Sequence, residues 1–280
     1  MTVHGSALHS ALEERGQLSF IGVYDVFSAT LARRHFDGIF VSGFSFAASH
    51  YGLPDIGFIA WPDVVAFTRR LRTVLPDAHI VVDMDDGYGD PEVAAQAALS
   101  LEEAGASAII LEDQQRPRKC GHLGQKTLLD LEVYLEKLKR VLAARSNLFV
   151  VARTDAAEPD EMVRRALASA DAGADGVLVD GLESLDVIHA VRSGSDLPIA
   201  FNQIAGGRSR SRSCTELREA GVSMVIYSTP CLFSAQAAID RDLAALSRGD
   251  GVLPEPGDGR VGLRDCTTLL DENLTRRYGR

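Results

Sequence analysis

A chain of 280 residues, 46% hydrophobic and 24% charged, has the make-up of an ordinary globular protein, able to bury one large core or two small ones. With 29 basic against 39 acidic residues and a net charge of −10, it is not built around nucleic acid. No run of 18 apolar residues offers a membrane span, and Met1–Ser6 lacks the basic start and apolar core of a secretory signal, so a cytoplasmic protein is expected.

Strand-like and helix-like patterns alternate from the start. Ser6–Arg15 reads as a short amphipathic helix and Phe20–Tyr24 as the first buried strand. Asp25 is placed to cap a helix through Ala29 to His35, and Gly38–Ser42 is the second strand. A Gly-rich loop, Ser42-Gly43-Phe44-Ser45, precedes a helix over Pro62–Val74, and Ala78–Met84 is the third strand. Pro91 suits the first turn of a helix ending near Ala104. Five more apolar runs read as strands: Ser107–Leu111, Leu148–Arg153, Ala174–Val179, Leu197–Asn202 and Val222–Tyr227. Leu131–Ala144, Glu158–Ala172, Ser184–Ser193, Cys214–Ala220 and Leu232–Leu246 read as helices. Gly105, Gly173 and Gly221 each follow an alanine just before a strand, where a helix C-cap glycine is expected.

Eight strand–helix units predict a (β/α)₈ barrel over residues 1–247, with an open doubly wound sheet as the alternative. Residues 248–280 leave the alternation: a Gly/Pro-rich linker, then an amphipathic helix over Val261–Tyr278. Its face of Leu263, Thr267, Leu270 and Leu274 is expected to pack on the barrel or on a neighbouring subunit.

In a barrel the chemistry sits at the C-terminal ends of the strands. Ser42-Gly43-Phe44, Asp83, Asp85, Glu112, Arg153 and Asn202 stand there. Four carboxylates without matching cations, Asp55, Asp83, Asp85 and Glu112, point to a divalent metal, because like charges held close otherwise repel or protonate. Oxygen-only ligation favours Mg²⁺ or Mn²⁺ over zinc. Plainer readings stay open. Asp83, Asp85 and Asp86 also suit a turn before Gly87, Arg153 a structural pair with Asp155, and Ser42-Gly43 a tight turn.

After the fourth strand, Leu111–Lys126 carries Glu112 and Asp113, then a polar loop broken by Pro117 and Gly121. In that loop Cys120 is flanked by Lys119 and His122, cationic neighbours that lower a thiol's pKa. This reads as a lid bearing a reactive thiol, or else as a solvated loop. Cys120, Cys214, Cys231 and Cys266 show no paired spacing, as expected in a reducing compartment. Arg208-Ser-Arg-Ser-Arg212 reads as a solvated loop.

These residues carry a resemblance. Asp83-Met-Asp-Asp-Gly-Tyr-Gly-Asp90 resembles the Asp-x-Asp-Thr-Gly-Tyr/Phe-Gly signature of the isocitrate lyase/phosphoenolpyruvate mutase superfamily. Lys119-Cys-Gly-His122 is similar to the loop element of its lyase branch, that of methylisocitrate and dimethylmalate lyases and oxaloacetate decarboxylases. Tyr24–Ala29, Val41–Gly43, Gly52–Gly57, Leu111–Asp113, Ala152–Asp155 and Gly173–Asp175 continue the match in the same order.

The resemblance implies a Mg²⁺-dependent barrel, a small 2-oxo or 2-hydroxy acid substrate, and a homo-oligomer built as a dimer of helix-swapped dimers. Carried over by residue, Asp83 ligates the metal and Asp55, Asp85 and Glu112 hold its waters. Tyr24, Ser42, Gly43, Phe44, Asp83, Arg153 and Asn202 surround the substrate, with Arg153 neutralising developing charge. Cys120 is the proton donor or acceptor, with Lys119 and His122 in the same catalytic loop. The implied reaction cleaves a C–C bond of a 2-hydroxy di- or tricarboxylic acid to a 2-oxo acid and a carboxylate. Oxaloacetate-type decarboxylation, P–C bond chemistry and a non-catalytic scaffold are the alternatives. The chain departs from the family at Asp86 (usually Thr), Asp90 (Asn in mutases), Val179-Asp-Gly181 (Glu-rich in many lyases) and Ala205 (a substrate-facing glutamate in lyases). Ala205 is expected to leave a larger and less polar pocket.

Overall fold

The computed structural model describes residues 3–124, 126–253, 255–257 and 260–278. Eight parallel strands close into a barrel in chain order, which excludes the open sheet: β1 Leu18–Val23, β2 Gly38–Val41, β3 His79–Asp83, β4 Ala108–Glu112, β5 Phe149–Thr154, β6 Gly176–Val179, β7 Ile199–Gln203 and β8 Val222–Tyr227. The helices are α1 His4–Arg15, α2 Val26–Arg33, α3 Gly43–Phe46, α4 Trp61–Val74, α5 Pro91–Glu103 and α6 Leu131–Ala144. They continue with α7 Pro159–Asp171, α8 Asp186–Gly194, α9 Cys214–Glu219, α10 Pro230–Arg248 and α11 Leu263–Tyr278.

Alternation along each strand sorts the core into two layers. Phe20, Phe40, Val81, Ile110, Val151, Leu178, Ala200 and Ile226 fill the barrel, and Leu8 and Leu12 of α1 close its N-terminal end. Burial of a leucine of that kind contributes about 1.5–3 kcal/mol. The other strand positions meet the surrounding helices in two outer layers.

Local signals behave as expected. Asp25 caps α2: the Ser28 amide donates to its carboxylate at 2.6 Å, and its own amide donates to Ser28 Oγ at 3.3 Å. Gly105, Gly173 and Gly221 adopt φ of +97°, +100° and +93°, the left-handed turn that lets each helix stop before the next strand. Asp90 accepts from the Val93 amide at 2.9 Å and caps α5, which accounts for an aspartate there on structural grounds.

The last two helices behave differently. None of the 19 residues of α10 is buried, and Ile239 and Leu243 are exposed. Helix α11 returns to its own barrel, burying Leu269 and donating from Asn273 to Thr30 Oγ1 at 2.9 Å. The face expected to be covered is not: Leu263, Leu270 and Leu274 are not covered by this chain's own barrel. Among the described residues, no helix is long and apolar enough to cross a membrane.

Candidate active site

The strand register sets the first contacts. Glu112 pairs with Arg153 across β4 and β5, so both side chains enter the barrel mouth together. Residues 115–124 arch over that mouth. Their base is fixed where Gln114 bridges Leu128 and the Gln115 amide donates to Thr127 at 2.8 Å.

Of the four carboxylates predicted to lack cations, Asp55, Asp85 and Glu112 have one. Arg118, 1% exposed, donates from Nε to Glu112 Oε1 at 2.7 Å and from Nη1 to Asp55, and lies 3.3 Å from Asp85 Oδ1. Sequence reading left Arg118 as an ordinary lid residue; its only signal was a place two positions before the thiol. Arg153 forks onto Asp155 with two 3.0 Å bonds, and it lies 2.8 Å from Asp180 and 3.4 Å from Glu112. Lys126 donates to Asp155 at 2.9 Å and to the Gly121 carbonyl. The plain reading of Arg153 as a partner of Asp155 and the reading of it as a site residue are therefore both geometrically met.

Six carboxylates (Asp55, Asp83, Asp85, Glu112, Asp155 and Asp180) thus share the mouth with three cations, Arg118, Arg153 and Lys126. The excess of negative charge has consequences. Burial, only partly opposed by Arg118 and Arg153, raises Glu112 to about 7 and also raises Asp83. Asp85 is driven up further by burial, with Asp83, Asp55 and Glu112 adding to it against Arg118. Both oxygens of Asp85 are buried without a hydrogen-bond partner. Gly43 lies against the pair: a Cβ there would be 3.0 Å from Asp83 Oδ2 and 3.2 Å from Asp85 Oδ1. An oxygen-only, electron-rich pocket with orphaned carboxylate oxygens fits a hard divalent cation. Among the described residues, however, no three His, Cys, Asp or Glu side chains are grouped as metal ligands; the acids ring Arg118 instead.

The chamber under the lid is lined by Ser42, Phe44, Asp55, Asp83, Cys120, Gly121, His122, Arg153, Asp180 and Asn202, and has about 20 Å³ free, room for one water. The lid is therefore closed, and substrate entry requires it to open. Gly121 is what allows closure. A Cβ at this position would lie 1.9 Å from Asp180 Oδ2 and 2.3 Å from Arg153 Nη2. His122 clasps the lid to the barrel. Its Nδ1 accepts from the Arg208 amide at 3.1 Å, so Nε2 carries the proton and faces Asp180 Oδ1 at 3.2 Å. Asn202 donates to the same Asp180 oxygen at 3.0 Å and accepts from Ser228 at 2.6 Å. Burial works against ionised Asp180, but Arg153 and His122 outweigh it and hold the carboxyl well below its usual range.

Four expectations change. Cys120 is not an activated thiolate: burial, reinforced by Asp55 and Asp180, pushes its thiol up to about 12. Lys119 is exposed where Cys120 is buried, and Gln114 holds its amide and carbonyl. Tyr24 is outside the chamber: the capping turn, with both the Tyr24 and Asp25 amides on Ser28 Oγ, turns it into an apolar groove of about 630 Å³ between α2 and α10. Ala205 is exposed beside the mouth and does not line the chamber, whereas Ile204 does. Of the other departures, Asp86 takes a bidentate ion pair from lid residue Arg116, with both bonds at 2.8 Å, and so adds a further tie between lid and barrel. With Arg118, the residues Asp155, Asp180 and Lys126 join the site without a sequence signal that assigns them to it.

Acids, arginines and a lidded thiol thus gather at the strand ends of a parallel barrel, where enzymes of this architecture carry their active sites. The phosphoenolpyruvate phosphomutase family pattern matches residues 8–247, and the chain belongs to that family. It is 34% identical to the petal death protein of Dianthus caryophyllus, over 96% of this chain and 84% of that one. It is 32% identical to the 2-methylisocitrate lyase of Bacillus subtilis, over 90% and 82%. Among solved structures, 2,3-dimethylmalate lyase superposes with a TM-score of 0.91 at 29% identity, covering 99% of this chain and 95% of that one. Oxaloacetate acetylhydrolase with 3,3-difluorooxalacetate gives 0.90 at 29%, over 99% and 97%. Phosphonopyruvate hydrolase with oxalate and Mg²⁺ gives 0.84 at 25%, over the whole of both chains. With the relatives that are named as lyases, the chain is a carbon–carbon lyase of the isocitrate lyase/phosphoenolpyruvate mutase superfamily.

Proposed function

We propose that the protein cleaves a C–C bond of a substituted malate or methylisocitrate-like 2-hydroxy acid, with Mg²⁺ or Mn²⁺ bound, giving a 2-oxo acid and a carboxylate. The observation that carries this reading is the un-ionised Cys120 thiol, delivered by a closed lid into a chamber with Arg153 and Asn202. As the bond breaks, the hydroxyl gives its proton to a carboxylate of the mouth and its carbon becomes the 2-oxo carbon. The departing fragment keeps the electron pair and must take up a proton. A thiol that keeps its proton at neutral pH serves as that donor. Arg153, fixed by Asp155 and Asp180, presents positive charge without reorganising. Closure excludes water, so the departing fragment meets the thiol first.

Asp83 and Asp85, with Asp55 and Glu112 around them, are the residues that would hold the cation. A divalent ion there supplies Lewis-acid charge to the oxygen of the 2-oxo product. Support comes from the orphaned Asp85 oxygens and from the Mg²⁺ complex of the related phosphonopyruvate hydrolase. The test is a panel of substituted malates, methylisocitrate and oxaloacetate with Mg²⁺, read by released 2-oxo acid or oxalate, then repeated in excess chelator. Turnover of a hydroxy acid that stops with chelator is expected. Release of phosphate from phosphonopyruvate, with no hydroxy acid turned over, would instead support P–C bond chemistry.

The same proposal includes a homo-oligomer in which α10 packs on a partner barrel. Its support is a helix with no buried residue, beside an apolar groove lined by Phe27, Leu31 and Tyr227. Light scattering should give a multiple of 30.1 kDa, and Ile239→Glu with Leu243→Glu should lower the mass. A monomeric parent would end this part of the proposal.

A further inference from the structure

The turn after β3 holds three buried oxygens without a hydrogen-bond partner among the described residues: Asp85 Oδ1, Asp85 Oδ2 and the Tyr88 hydroxyl. Arg118 stands 3.3 Å from Asp85 Oδ1 without donating to it. A buried phenol ordinarily finds a partner, because its hydroxyl loses water's hydrogen bonds on burial. Of the charges acting on this hydroxyl, Asp85 comes first and Asp83 second, ahead of Arg118 and Asp86. A carboxylate accepts and a phenol donates, so a direct bond would satisfy both, yet none forms. Asp85 and Tyr88 thus stand in one turn, each with buried oxygens that lack a partner among the described residues.

The turn has few other conformations open to it. Asp85 and Tyr88 take φ of +49° and +67°, uncommon for residues with a side chain. The turn is held there by Glu112 N donating to Asp85 O at 3.0 Å, Gly87 N to Met84 O at 3.0 Å, and Tyr88 N to Asp86 Oδ1 at 3.2 Å. These bonds fix the backbone from which the Tyr88 side chain projects. A group that satisfies all three oxygens must offer positive charge or donors to Asp85 and an acceptor to Tyr88. A lone water meets the polarity but leaves the surplus of carboxylates unbalanced. A cation with its own coordinated waters meets both requirements.

We propose that the Tyr88 hydroxyl is a positioning group of the cation site, donating to a water that the bound divalent ion holds beside Asp85. This rests on the cation reading given above. Tyr88→Phe keeps the ring and removes one oxygen. Without cation, the variant should melt no lower than the parent, because a buried hydroxyl without a partner has been deleted. With Mn²⁺, followed by titration on the stable protein without substrate, the Kd should rise about 3–10-fold, the effect of one hydrogen bond. The Mg²⁺-induced rise in Tm should shrink in parallel. If the parent binds Mn²⁺ and Tyr88→Phe binds it equally well, the Tyr88 proposal is overturned and the cation reading stands. If the parent itself binds neither ion, the cation reading fails, and Tyr88 with it. A variant that melts lower without cation but keeps the parent's Kd also overturns the proposal, since the hydroxyl would then serve the fold alone.

Discussion

Gly121→Ala lowers kcat by about 10²-fold or more while the barrel stays folded, the loss expected when reacting groups are held 1 Å out of place. The new methyl would lie 1.9 Å from Asp180 Oδ2, 2.3 Å from Arg153 Nη2 and 2.7 Å from Asp155 Oδ1. These atoms are side-chain ends, which elsewhere would simply move aside. Here they are fixed: Asp155 binds Arg153 through two bonds and takes a third from Lys126, and Asp180 accepts from Asn202 and faces His122. Giving way breaks that network, so the lid lifts instead and carries Cys120 with it. The barrel layers do not include the lid and should not notice. The check is kcat together with Tm and the rate of tryptic cleavage after Arg118 and Lys119. An unchanged kcat would mean that catalysis does not need the closed lid seen here.

What the sequence made legible was local. Asp25 as a cap and Gly105, Gly173 and Gly221 as helix stops depend on a few consecutive residues, and all are found. The barrel followed from counting alternations. The identity of strand-end residues followed as well, because Glu112 and Arg153 need only be the last residues of neighbouring strands. What failed depended on distance in space. Lys119 adjoins Cys120 in sequence, but it is exposed while the thiol is buried. Arg118 lies among acids from three different segments, Asp55, Asp85 and Glu112, so no window of sequence shows that it supplies their missing charge. Asp180 was noted only as a departure from the lyase pattern, yet it anchors Arg153, His122 and Asn202 together. Leu269, the α11 residue that this chain buries, lies outside the face that the helical pattern picks out.

Cys120→Ser lowers turnover by about 10²–10⁴-fold and leaves binding of a 2-oxo acid product nearly unchanged, the range for removing a general acid. Serine keeps the shape of the side chain but gives up a proton far less readily. The thiol's own pH behaviour supplies an independent check. Burial raises its pKa from 9.0 to about 12, so the neutral form is favoured in the folded chain. The sign follows: below pH 9 the thiol is protonated both folded and unfolded, and between 9 and about 12 only the folded chain keeps the proton, so this group's contribution to stability is lost across that window. At pH 8 its thiolate fraction is lower by about 10³-fold than in the unfolded chain, and alkylation, which needs the thiolate, slows at least as much. Site-resolved labelling by iodoacetamide at pH 8, with and without urea, measures this. Slow labelling in the native enzyme combined with a crippled Cys120→Ser variant identifies a protonated donor under a closed lid. Labelling as fast as in urea would identify instead an exposed, ordinary thiol, and the role of Cys120 as the proton donor would have to be abandoned.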